Sequence, residues 1–178
     1  MKKPSPLLTI GVRYGAIAAV LSIGLNIMMY YLGRHPVMIS PFLDFRVFLY
    51  GVFIFFSLKE YRDFHNAGSL HFFQGMISSF VMVATAAVLG SLLYRIFGAY
   101  ESNFVSDYVR LATEYIRSFP EEELTRIGGK EEVERNLAEL PSTNMAQLAF
   151  LYLAQSFGIG LFISIILSVI LRKQPKPE

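Results

Sequence analysis

Residues 140–171 read LPSTNMAQLAFLYLAQSFGIGLFISIILSVIL, with no Asp, Glu, Lys or Arg. A helix that crosses a bilayer needs about 20 mostly apolar residues, and this run is longer than that. It is apolar around its whole circumference, most plainly in FISIILSVIL, where a soluble surface helix would carry a polar stripe. Residues 14–33, which include IAAVLSIGLNIMMYYL, and residues 72–94 are equally free of charge. These three runs predict membrane-spanning helices.

A fourth apolar run, VFLYGVFIFFSL at 47–58, is shorter. Ser40-Pro41 before it has the chemistry of a helix start, with Ser as cap and Pro at the first helical position. A helix over 41–60 would put Asp44 in its first turn, where the helix macrodipole favours a negative charge. The expected fold is therefore an all-α integral membrane four-helix bundle, one domain over 1–178. Its expected spans are 9–32, 41–60, 71–97 and 144–171, with a helical segment outside the membrane between the third and fourth. The Lys2-Lys3 start resembles a signal peptide. The apolar run after it is too long for a signal core and Met28-Met29-Tyr30-Tyr31 is a poor cleavage site, so the first helix is expected to stay as an anchor.

Composition agrees with this assignment. The chain has 178 residues, 53% hydrophobic and 17% charged, where soluble proteins carry about a quarter charged residues. Sixteen Phe and ten Tyr exclude a disordered chain. The lack of Cys excludes a disulfide framework, a Cys-ligated zinc, an iron–sulfur cluster and a cysteine nucleophile. A net charge of +2 gives no electrostatic footprint for nucleic acid.

The charge is unevenly placed. Residues 99–143 hold five basic and ten acidic side chains, a net −5 that leaves +7 on the rest. Lys2, Lys3, Arg13, Lys59, Arg62, Arg172, Lys173 and Lys176 fall on one side if both termini share it. Basic residues in short loops mark the cytoplasmic side, so both termini are expected in the cytoplasm. Within 99–143, Phe104, Tyr108, Leu111 and Tyr115 recur at helical spacing. Ser118-Phe119-Pro120-Glu121 resembles a capped helix start with Glu122 and Glu123 in its first turn. Gly128-Gly129 breaks it, 130–140 forms a further short helix, and Pro141-Ser142-Thr143 leads into the last span. A cap of helices on the bundle rim is favoured over a docking surface for a partner.

Small residues sit at packing spacing in three spans: Gly11 and Gly15; Ala86 and Gly90; Gly160, Ser164 and Ser168. They let helix backbones approach closely in lipid, and packing within one chain is favoured over dimerisation. Asn26 and Gln155 are the most buried-looking polar side chains. At 1.5 Å per residue they fall at similar depth, which predicts an interhelical hydrogen bond of about 0.6 kcal/mol. A substrate contact is the rarer reading. Asp44 and Arg95, near the outer ends of the second and third spans, form a candidate ion pair, against simple interfacial anchoring with Arg95 snorkelling. His65, His71, Glu60 and Asp63 cluster in one loop, but the histidine spacing fits no zinc motif. No H-E-x-x-H, G-x-S-x-G or Walker A motif occurs, so neither catalytic residues nor a cofactor or metal is expected.

The stretch LKEYRDFHNAGSLHFFQGMISSF, residues 58–80, resembles the junction of a family of small bacterial membrane proteins, domain of unknown function 4199. Lys59, Tyr61, Arg62 and Asp63 match a K-x-Y-R-D segment after a helix. Gly68 matches its turn, and Phe73, Gln74 and Gly75 its next helix start. The ending FISIILSVILRKQPKPE is similar to the family's closing helix and basic-Pro tail, although the turn here is Ala67-Gly68 where the family has Gly-Gly. The resemblance implies an integral membrane protein and transfers no functional residue. The expected role is a noncatalytic membrane subunit or scaffold, whose partners are the lipid bilayer and a membrane protein or a second copy of itself. The alternative is a small-solute or ion transport component, for which broken helices or several ionisable groups near mid-membrane would be the sign.

Overall fold

The computed structural model describes residues 5–120 and 129–174. Six α-helices occur among them: α1 (Pro6–Tyr31), α2 (Phe45–Glu60), α3 (Phe72–Tyr100), α4 (Phe104–Arg117), α5 (Lys130–Glu139) and α6 (Met145–Ile170). There is no strand among the described residues. One antiparallel bridge joins Leu70 and Lys173 through two backbone hydrogen bonds of 2.8 and 2.9 Å. The expected all-α architecture is present.

Three helices, α1, α3 and α6, are long and apolar enough to cross a membrane. The expected fourth span is not among them. Helix α2 has 16 residues, about 24 Å, against a hydrocarbon core of about 30 Å. The reason lies at its start. Ser40-Pro41 opens only a 3-10 turn, Pro41–Leu43. Asp44 is extended, and its carboxylate caps α2 by accepting from the Arg46 N–H at 2.8 Å. The other end continues as a π-helical turn, Tyr61–His65.

Helix α3 lies between α1 and α6, parallel to the first and antiparallel to the second. On one side Gly11 meets Ser78 and Val81, and Gly15 meets Met82 and Thr85. On the other, Gly75 meets Ser168, Gly160 meets Val83, Gly90 meets Tyr152 and Gly98 meets Met145. Ala86 and Ser164 are fully buried, and the Ser164 hydroxyl donates to the Gly160 carbonyl at 2.6 Å. Every small residue singled out from the sequence thus faces an interface inside the chain, where it lets two backbones approach. Helix α6 starts with a capping box: Asn144 accepts from the Gln147 N–H, and Gln147 accepts from the Asn144 N–H. This satisfies two donors that a helix start leaves orphaned.

Helix α4 packs on the end of the bundle away from the termini. The aromatic face of α4 is graded: Phe104 is fully buried, Tyr108 and Leu111 are half-buried, and Tyr115 is exposed. Phe104 packs against Tyr30, Tyr94 and Phe97 with ring centres 5.0–5.3 Å apart. Its burial contributes about 2–3 kcal/mol. This is the rim cap the spacing predicts. The expected short helix at 130–140 is α5. The expected start at Ser118-Phe119-Pro120-Glu121 and the break at Gly128 run into residues outside the described ones, as do Lys2, Lys3 and Lys176.

His35, in the loop between α1 and α2, ties that loop to α4. Its Nε2–H donates to the Phe104 carbonyl at 3.1 Å, and the ring lies against Tyr30, Phe104 and Tyr108. Burial lowers its pKa, opposed by the Phe104 carbonyl and by the charge of Asp107. A histidine with a depressed folded pKa is protonated more readily unfolded. Its contribution is therefore intact above the ordinary value of about 6.5 and is lost as pH falls from there to the lower folded value. Stability in detergent, followed by helical circular dichroism, is expected to decline below about pH 6.5, and His35→Gln to decline less.

At the opposite end the turn from α2 to α3 places Ala67 at φ 47° and Gly68 at φ 73°. The Asn66 side chain donates to the Ser69 carbonyl at 2.8 Å and to Gln74 Oε1 at 3.0 Å. Ala67 therefore occupies a left-handed conformation that a Cβ disfavours by about 1–2 kcal/mol. Replacing it with Gly removes that strain at some cost in chain entropy. Ala67→Gly is expected to raise stability by about 0.5–1 kcal/mol, measured as a higher denaturation midpoint.

Candidate functional site: a buried ion pair between α2 and α6

Arg46 is 3% exposed and Asp44 7% exposed, inside a bundle whose other buried side chains are mainly apolar. Removing two charges from water costs several kcal/mol per ion unless geometry and hydrogen bonds compensate. Here they do. The Arg46 Nε donates to Asp44 Oδ2 at 2.9 Å, and Nη2 bonds the same oxygen. Nη2 also donates to Gln155 Oε1 at 2.9 Å. Nη1 donates to the Tyr152 carbonyl at 3.0 Å and to Ser156 Oγ at 2.8 Å. A guanidinium has five N–H donors, and each finds an acceptor. The guanidinium carbon also lies 4.4 Å from the centre of the Tyr152 ring, a cation–π contact, and Tyr152 stacks on Tyr94 with centres 5.0 Å apart.

This network sits deep. At about 1.5 Å per residue, Gln155 is about 15 Å from the Met145 end of α6 and about 22 Å from the Ile170 end. Helix α2 begins beside it. A short helix that starts inside the bundle places its first N–H groups, its capping carboxylate and its first long side chain at this depth.

The structure changes the partners expected from sequence. Asp44 does not meet Arg95, which is exposed on α3. Spacing two apart on a helix would also separate Asp44 from Arg46. Asp44, however, precedes the helix, so its carboxylate folds back over the first turn and reaches both the backbone and the guanidinium of Arg46. Asn26 and Gln155 do come to one place, as their depths predict. They border a void of about 10 Å³, with Arg46, Tyr94 and Tyr152 also in its wall. They do not bond each other; Gln155 Oε1 accepts from Arg46 instead. The roles of Arg46, Tyr152 and Ser156 are not evident from the charge gaps. A usable signal was there: Tyr152, Gln155 and Ser156 stand at i, i+3 and i+4, a polar patch on one face of an otherwise apolar helix.

The arrangement is a clasp between α2 and α6. The carboxylate is committed to Arg46, the guanidinium to α6, and the adjoining void is on the order of a single water.

No curated protein and no solved structure matches the chain. The family model described as "Protein of unknown function (DUF4199)" matches residues 13–173, a range that takes in both sides of the clasp and the turn at Ala67-Gly68. The chain belongs to the DUF4199 family.

Proposed function

We propose that the protein is a noncatalytic multi-pass membrane subunit or scaffold, with both termini on the cytoplasmic side of a bacterial inner membrane. The observation that carries this reading is that all five Arg46 donors are used inside the chain. The deepest charged group is thereby committed to joining α2 to α6. In this reading α2 packs against the three long helices. Phe48 and Phe56 on its outer face are exposed, as suits a lipid-facing surface. The bundle then serves as a rigid support for a neighbouring membrane protein or a second copy of itself.

The depth of the Asp44–Arg46 pair favours the transport component as a second reading, since intramembrane ion pairs also mark ion pathways. Extraction in mild detergent, with mass determined by light scattering and co-purified chains identified, separates the two. A stoichiometric complex with one membrane partner, or a defined homo-oligomer, is the expected result. A clean monomer that conducts protons or small ions when reconstituted in liposomes would replace the scaffold reading with transport.

A further inference from the structure

A second polar site lies near the termini end of the bundle, where α2 passes into its π-helical turn. Glu60 accepts from Arg13 Nη2 at 2.6 Å and from the Tyr14 hydroxyl at 2.9 Å. Asp63 accepts from Arg62 Nε at 2.7 Å. Each acid in the cluster is thus paired with its own arginine. Lys59 and His65 make no hydrogen bond or ion pair among the described residues, and both are exposed. These two side chains and the acids border an open cavity of about 630 Å³, whose wall continues over Phe56 and Phe64. The rings are 48% and 81% exposed.

Three features converge here. The ammonium of Lys59 and the imidazole of His65 supply N–H donors that are hydrogen-bonded to neither acid, although Lys59 acts electrostatically on Asp63 and His65 on Glu60. The two rings supply an apolar wall directly beside them. The site sits where the apolar part of α2 gives way to charged residues, the depth at which lipid headgroups begin. Helical π turns recur at functional positions because their extra residue re-aims side chains. Here the turn carries Phe64 and His65, both exposed. We infer that this cavity binds the phosphodiester headgroup of an anionic membrane phospholipid, with Lys59 and His65 on the phosphate and an acyl chain along Phe56 and Phe64. This inference does not depend on which function the bundle serves.

Native mass spectrometry of the purified full chain, titrated with equal amounts of phosphatidylglycerol and phosphatidylcholine, tests it. Phosphatidylglycerol adducts are expected to exceed phosphatidylcholine adducts by about fivefold, the effect of one cation near a charged surface. Lys59→Gln with His65→Gln should abolish that preference without altering the lipid-free melting temperature, because both side chains are exposed and unpaired. Phe64→Asp should weaken phosphatidylglycerol binding by placing a negative charge beside the headgroup. Equal binding of the two lipids, a preference retained in the Lys59→Gln, His65→Gln variant, or unweakened phosphatidylglycerol binding in Phe64→Asp would overturn the proposal. So would displacement of phosphatidylglycerol by inorganic phosphate alone, which would indicate a site for free anions.

Discussion

Arg46→Met is expected to destabilise the protein by about 3–5 kcal/mol, the largest effect of any single substitution considered. Met fills a similar volume, so packing is largely kept. What is lost is the cation paired with a carboxylate that is 7% exposed, together with the acceptor pairings of Gln155, Ser156 and the Tyr152 carbonyl. A buried charge without its partner is the costly state, whereas replacing both members with neutral groups is often close to neutral. Asp44→Asn combined with Arg46→Met should therefore recover most of the loss, since Asn still caps the first turn of α2. Unfolding in mixed micelles by added denaturing detergent, followed by circular dichroism, measures both. A double variant as unstable as Arg46→Met alone would show that the network stabilises through α6 contacts rather than through charge compensation.

Gly15→Val should be nearly as damaging, for a different reason. A Cβ at Gly15 would lie 2.5 Å from the Met82 carbonyl oxygen and 2.7 Å from the Thr85 Cβ. The first neighbour is backbone and cannot turn aside, so α1 and α3 must separate. Overpacking a well-filled interface costs about 1–3 kcal/mol, and the upper end is expected here because the whole α1–α3 contact moves. Gly24→Val is the matched control: no heavy atom lies within 4 Å of a Cβ at Gly24, so its effect should stay within about 0.5 kcal/mol. Thermal unfolding of the two variants in the same detergent gives the comparison.

The three long helices were legible in the sequence because charge-free runs of sufficient length admit almost no other structure in lipid. Their small residues were legible for the same reason, since close backbone approach is the main route to packing where there is little hydrophobic drive. The start of α2 was not legible. Ser40-Pro41 and Asp44 are both good cap chemistry, and local rules alone do not choose between them. Burial decides: Asp44 as cap pairs with Arg46, while a helix from Pro41 would turn that carboxylate onto the helix surface. The site was missed as a consequence. Arg95 was the candidate partner for Asp44, weighed below simple interfacial anchoring, and the true partner lay two residues away. The polar triplet on α6 was visible, but only Gln155 was singled out, because Tyr and Ser are common in membrane helices and carry no charge to draw attention.

The local character of the Asp44–Arg46 pair also bears on how the chain enters a membrane. Helix α2 is synthesised well before α6, so Tyr152, Gln155 and Ser156 do not yet exist when Arg46 must leave water. A cation whose only counter-charge lay on α6 would cross that interval bare. Asp44, two residues upstream, travels with Arg46 and neutralises it from the outset, and α6 then adds its acceptors to a pair already formed. The order of synthesis and the position of the carboxylate are thus matched, and biogenesis of the bundle does not have to wait for its last helix.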